Sequence, residues 1–400
     1  MKRFLLVGSF CVIITVGVGM WLLKMTYPQT PLQTSAKYFL EHLMKPHISL
    51  DKEVIGFLPY WQVDDISTIE LQSLSEVNYF SLSPAANGEL LRVVATQTNP
   101  GWREWDKQAM KDFITKTHIL GTKFSLTILT HDAVIIESIL SSKEAQATLI
   151  NELIAQVKEH NLDGITIDFE YLGTPDESYQ DAFVAFSKNL SDAFRKEAPD
   201  TTLSLSVMPR AARDPGLLKI KQLTPYYDRF IVMSYDYYGA SSDIAGPVAP
   251  MKGYKEEVYF FDVTTTYADY LKVLPKEKII MGVPYYGWDR AVEDGKTKKS
   301  LTFASDDPNN YTAIISYARM KESTNLTDCK WDTLAQERWC WYTNPETGTA
   351  HQVWIADEKS IGVRFDYAKK NELGGVAIWV LGYDKGYDEL WNLLQQTFGK

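Results

Sequence analysis

Cysteine is scarce in this 400-residue chain, which has three: Cys11, Cys329 and Cys340. None has the neighbours of a zinc site; only His351 stands near Cys340, and at the wrong spacing. Glycine-rich phosphate loops and other metal-ligand clusters are missing too, so no cofactor or metal is expected. No Gly-x-Ser-x-Gly elbow is present, which removes one mark of a serine hydrolase without excluding the class. The Lys and Arg residues form no dense stripe, and the net charge is −10. A polyanion such as nucleic acid is therefore not an expected partner. A neutral polysaccharide is compatible with this balance.

Aromatic residues are plentiful, with 11 tryptophans and 23 tyrosines. A large core explains them; a groove stacking sugar rings would use them too, and composition alone favours the core. At the N-terminus, Lys2 and Arg3 precede an uncharged run from Phe4 to Leu23. That run is long enough for one membrane helix and long for a signal-peptide core. The expectation is an anchor over residues 1–25, with a secreted form after cleavage as the alternative. The flanking positive charges keep the N-terminal end in the cytoplasm and the rest of the chain outside. Residues 26–50, with Pro28, Pro31 and Pro46, read as a stalk. In an exported protein, Cys329 and Cys340 are expected to pair.

From residue 51 to 400, short apolar runs alternate with amphipathic ones. Strands are expected at Val54–Tyr60, Val77–Ser83, Lys123–Leu129, Gly164–Glu170, Thr202–Met208, Phe230–Tyr235, Ile279–Tyr285 and Gly375–Leu381. Near-continuous apolar character suits parallel strands covered on both faces. Helical periodicity fills the gaps: Ser142–Glu159, Ser178–Lys196, Thr264–Leu274 and Ser360–Asn371. Eight strands alternating with helices predict an α/β fold, a (β/α)8 TIM barrel. Residues 288–352 break the rhythm between strands seven and eight and hold Trp331, Trp339, Trp341 and Tyr342. A stretch of that length predicts a small α+β insertion rather than a loop. Such an insertion either packs on itself or builds one wall of a cleft.

The fourth strand carries the chemistry. Alternate residues of a strand share a face, so Thr166, Asp168 and Glu170 point one way and Ile165, Ile167 and Phe169 the other. The polar trio is expected inside the barrel, with Glu170 at the C-terminal end where catalytic groups of this fold gather. Asp168 and Glu170 then lie within ~7 Å of each other. Two carboxylates so close favour keeping a proton on one of them, as a general acid requires. An isolated Asp-x-Glu would more simply be a capping or salt-bridging pair.

The surrounding motifs are not isolated. Asp163-Gly-Ile-Thr166-Ile-Asp168-Phe-Glu170, Met233-Ser-Tyr235-Asp236, Pro284-Tyr-Tyr286-Gly and Gly374-Gly-Val-Ala-Ile-Trp379 occur in order, with Phe57 and Trp61 on and after the first strand. Together they resemble the family-18 glycoside hydrolases, over roughly residues 53–385. That resemblance implies an exported hydrolase of β-1,4-linked N-acetylglucosamine polymers, retaining and substrate-assisted. It casts Glu170 as general acid/base, Asp168 as partner of the acetamido N–H, and Tyr235 as donor to the acetamido oxygen. Trp379 would floor the sugar site, lined by Met233, Asp236, Tyr286, Phe57 and Met208. Thr166 stands where the family has an Asp that exchanges a proton with the next carboxylate. This departure resembles the spore-germination and cortex-lytic branch and moves the expected substrate from chitin toward peptidoglycan. A lectin-like, non-catalytic barrel is the alternative, although such members typically lose the acid glutamate. The sequence leaves the oligomeric state open.

Overall fold

Eight of the Val, Ile, Leu and Phe runs become eight parallel strands of a closed barrel. The structure is a computed structural model that describes residues 49–302 and 311–400. The expected membrane helix over residues 4–23, the anchor of residues 1–25 and nearly all of the stalk of residues 26–50 lie outside the described residues, as does Cys11. Among the described residues no helix is long and apolar enough to cross a membrane. The barrel strands are β1 (Glu53–Pro59), β2 (Glu76–Leu82), β3 (Lys123–Thr130), β4 (Gly164–Phe169), β5 (Thr202–Val207), β6 (Arg229–Val232) and β7 (Ile279–Pro284), closed after the insertion by a last strand, Gly375–Trp379. Each pairs with its neighbour in parallel, and the last strand pairs with both β7 and β1.

The alternation in β4 sorts its side chains between two cores. Ile165, Ile167 and Phe169 pack outward into the cluster shared with the surrounding helices. Phe169 meets Phe183 and Phe186 of α2 (Glu177–Glu197), each with ring centroids 6.1 Å away. Helix α1 (Lys143–His160) covers the same side; it starts where the Ser142 hydroxyl accepts from Ala145 N and stops at Asn161 in a left-handed conformation. Inside the barrel the filling departs from the branched apolar layers usual for this architecture. One half is apolar, with Ile55, Phe57, Phe80, Ile231, Ile280, Ala377 and Val380. The other half is polar. The amide of Asn78 donates to Thr166 Oγ1 (2.7 Å) and accepts from Thr127 Oγ1 (2.8 Å), so Thr166 is buried and satisfied. At the bottom, Arg229 reaches Glu53, Glu76 and Ser204.

The break in rhythm is a five-stranded antiparallel sheet. Its strands are β8 (Tyr286–Ala291), β9 (Thr312–Ser316), β10 (Asp328–Asp332), β11 (Glu337–Thr343) and β12 (Ala350–Ile355), in the order β9-β8-β12-β11-β10, with one short helix among the described residues, Tyr317–Glu322. The barrel's last strand follows as β13 (Gly375–Trp379). Trp339 is buried and stacks on Trp354, with centroids 5.9 Å apart. Lys359 lies over Trp331 at 3.9 Å. The aromatic cluster is thus largely packed.

Cys329 and Cys340 face each other across β10 and β11 and form a disulfide, as expected. Eleven positions separate them. Closing so short a loop contributes up to about 3 kcal/mol through the unfolded chain. Reduction is expected to lower the melting temperature correspondingly, and non-reducing mass analysis that finds two free thiols would remove the claim.

Candidate active site

The C-terminal ends of the strands open into a cleft of ≈ 780 Å³. Asp168, Glu170, Met208, Met233, Tyr235, Asp236 and Trp379 all line it. They stand on or just after β4, β5, β6 and β13, whose ends the closed barrel brings to one mouth. Glu170 sits one residue beyond β4, yet its N–H still donates to Thr130 O (3.0 Å), continuing the ladder with β3. That bond fixes where its side chain enters the cleft.

Asp168 lies one layer deeper, only 3% exposed. Burial pushes its carboxyl well above the ordinary aspartate range, and the Glu170 carboxylate adds to this. His131 and a hydrogen bond from Ser206 pull the other way. Its Oδ1 accepts no hydrogen bond from any described residue, although it is buried. An acceptor of this kind costs free energy unless a donor meets it.

Tyr235 is positioned by the turn after β6. The strand stops at Val232 rather than running through Tyr235 as the apolar run suggested. The physical reason is Ser234, whose hydroxyl binds Gly282 O (2.7 Å) and Tyr267 OH (2.7 Å) and draws the chain out of the ladder. Gly282 leaves the room for this: a Cβ there would stand 2.5 Å from Val232 O and 3.0 Å from Tyr235 Cε1. Burial raises the Tyr235 phenol well above its usual value, and Asp168, Glu170 and Asp236 add to it. The hydroxyl therefore stays protonated, a donor aimed among carboxylates. Its ring lies nearly parallel to Trp379, with centroids 6.2 Å apart.

Two residues expected to line the sugar site stand elsewhere. Phe57 was expected to line the sugar site; it is buried inside the barrel, packing against Trp379 (5.7 Å) and Phe80 (6.2 Å) from below. Tyr286 does not line the cleft either. It donates to Asp236 Oδ1 (2.6 Å), as Trp288 Nε1 does (2.8 Å), and holds that carboxylate in place. Asp236 presents it from a left-handed backbone, φ 54°, which Asp tolerates better than most residues. Thr166 lies beneath Asp168, bound to Asn78, away from the opening. The insertion does not form a cleft wall among the described residues: Tyr286 and Trp288 act only behind Asp236.

Several cleft residues escaped sequence reasoning. Phe80 meets Trp379 edge-on at 4.5 Å. His131, Arg210, Phe260 and Phe261 come from loops after β3, β5 and β6. Loop residues carry no periodic signal, but His131 directly follows a strand end, which in this architecture is itself a signal. Trp61, noted beside Phe57, is exposed at the rim and lines the cleft.

Residues 53–384 match the family described as "Glycosyl hydrolases family 18". The "Probable chitinase 10" of Drosophila melanogaster is 24% identical over 284 residues, covering 66% of this chain and 12% of that protein. The "Cortical fragment-lytic enzyme" of Bacillus subtilis (strain 168) is 24% identical over 265 residues, covering 65% of this chain and 55% of that protein. The chain thus spans less than two thirds of either relative's own length. Among solved structures, the Ostrinia furnacalis Group IV chitinase in complex with allosamidin aligns with a TM-score of 0.73 at 19% identity. It covers 86% of this chain and 98% of its own, and at that identity the likeness is one of fold.

Proposed function

The chain belongs to glycosyl hydrolase family 18, and on that premise we propose that it hydrolyses β-1,4-linked N-acetylglucosamine polymers with retention, using the substrate's own acetamido group as nucleophile. The observation that carries this reading is the buried, unpartnered Asp168 Oδ1 one layer below Glu170 in the cleft. An acetamido N–H supplies the donor that Asp168 lacks. Tyr235, kept protonated, donates to the acetamido oxygen and turns it toward the anomeric carbon. Glu170 protonates the departing glycosidic oxygen, which leaves as the C–O bond breaks and the acetamido oxygen closes an oxazolinium ring. Once the acetamido N–H meets its Oδ1 and positive charge develops beside it, both of which favour the ionised carboxyl, Asp168 is held as the anion that stabilises that cation. Glu170 then takes a proton from water, which opens the ring from the same face. Trp379 forms the floor beneath the sugar, with Met208 and Met233 beside it.

Two substrate classes fit: chitin and the glycan of the bacterial wall. Thr166 in place of an inner aspartate favours wall glycan, as does the likeness to the cortical fragment-lytic enzyme. Action at a wall also suits the apolar run Phe4–Leu23, which supports an exported, membrane-tethered placement with residues 26–50 as a stalk and residues 51–400 as the hydrolase domain. Assay of the full chain against chitin oligomers and against purified wall glycan tests the reading. New reducing ends are expected from wall glycan, with retained anomeric configuration in the first product. Release from neither substrate, or inverted product, would sink it.

A further inference from the structure

Glu170 has a partner on its outer side. His131 follows β3, and its Nδ1 lies 3.5 Å from Glu170 Oε2. Its side chain is 56% exposed and lines the cleft. The separation is longer than a hydrogen bond, as is common in an enzyme without substrate. On the inner side nothing matches it: Thr166 accepts from Asn78, and its hydroxyl is far too weak an acid to exchange a proton with Asp168 as a carboxyl would. The groups around His131 are mostly anionic. Glu170 and Asp168 face it from β4. Asp236, Tyr235 and Arg210 share the cleft with it. The next residue, Asp132, spends Oδ1 on Val134 N and Ile135 N at the start of helix Ala133–Ser141.

We propose that His131 is the proton reservoir of Glu170, standing outside the pair in place of the inner carboxylate that Thr166 replaces. The inference rests on the glycosidase reading above. Before the first step the proton is on the imidazole. It moves to Glu170 as substrate seals the cleft, breaking an N–H bond and forming a carboxylic O–H. Glu170 passes it to the glycosidic oxygen. In the second step Glu170 takes a proton from water and returns it to the now neutral imidazole. His131 acts through Glu170 and touches neither leaving group nor water. The Glu170 carboxylate also raises the imidazole above its ordinary value, which keeps the reservoir filled near neutral pH.

The pH profile tests this. One proton shared by two sites leaves at a pKa no lower than it would from Glu170 alone, because imidazole adds a second place for it. Removing His131 therefore moves the alkaline limb of kcat/KM toward acid. For His131→Gln we expect a shift of at least about half a pH unit, about a threefold loss on the alkaline side, with near-parental rates at acid pH. His131→Asn should give the same shift. A structural role would lower kcat/KM uniformly and leave the limb in place. An unmoved limb, or one moved to higher pH, overturns the proposal while leaving the glycosidase reading intact. A parent that hydrolyses neither chitin oligomers nor wall glycan overturns both.

Discussion

Glu170→Gln is expected to lower kcat/KM at least ~10²-fold while leaving affinity for N-acetylglucosamine oligomers near the parental value. The amide is nearly the same size as the carboxyl and lines the same cleft, so the groove is not reshaped. What is lost is the proton. Glutamine has none to give the glycosidic oxygen and cannot take one from water, so both steps fail. In the proposed reading, binding relies on Trp379, Tyr235 and Asp168, which line the cleft and remain. Burial is the main cause of the raised Asp168 pKa; removing the Glu170 carboxylate relieves the repulsion that adds to it, so Asp168 should ionise more readily in the variant. The measurement is release of reducing ends together with a binding isotherm on one oligomer. Parental turnover in the variant would show that Glu170 is not the acid, and loss of binding in step with turnover would make it a contact residue instead.

The parts of this site that were legible in the sequence are those imposed by strand geometry. Parity alone separated Thr166, Asp168 and Glu170 from Ile165, Ile167 and Phe169, because the outward set had to meet helix residues such as Phe183 and Phe186. All eight barrel strands were readable for the same reason: strands covered on both faces need unbroken apolar runs. Ends were less legible, since they are set by side chains far away in sequence. Ser234 ends β6 because Gly282 and Tyr267 lie opposite it, and no local pattern announces that. Tyr286 reaches the site only through Asp236, which accepts from it, a contact across 50 residues of sequence that no local pattern announces. Phe57 misled because facing inward near a strand end can mean either packing beneath a pocket floor or lining the pocket. His131 and Arg210 were invisible to periodicity, as loop residues are.

Beyond the polar trio of β4, the polar half of the barrel was not legible, and its floor carries the second large prediction. Arg229→Met is expected to destabilise the protein by about 3–5 kcal/mol. The guanidinium donates through Nη2 to both oxygens of Glu76 (3.0 and 2.8 Å), through Nη1 to Glu53 (2.6 Å) and through Nε to Ser204 (3.1 Å). Glu76 is 1% exposed, so without Arg229 a buried carboxylate is left without its partner. Glu53 is far more open, at 44%, so the Nη1 contact is the weaker share. The guanidinium spans from β6 to Glu76 of β2 and Glu53 of β1 across the barrel floor, joining β6 to strands that are not its neighbours in the sheet. The denaturation midpoint in urea is the measurement, with Glu53→Gln as the comparison, expected to cost under about 1 kcal/mol. The double variant Arg229→Met with Glu76→Leu should recover much of the loss, because it removes the stranded carboxylate as well as its partner. If the double variant is as unstable as Arg229→Met alone, the cost lies in lost packing rather than in the unpaired charge, and the electrostatic account of the barrel floor is wrong.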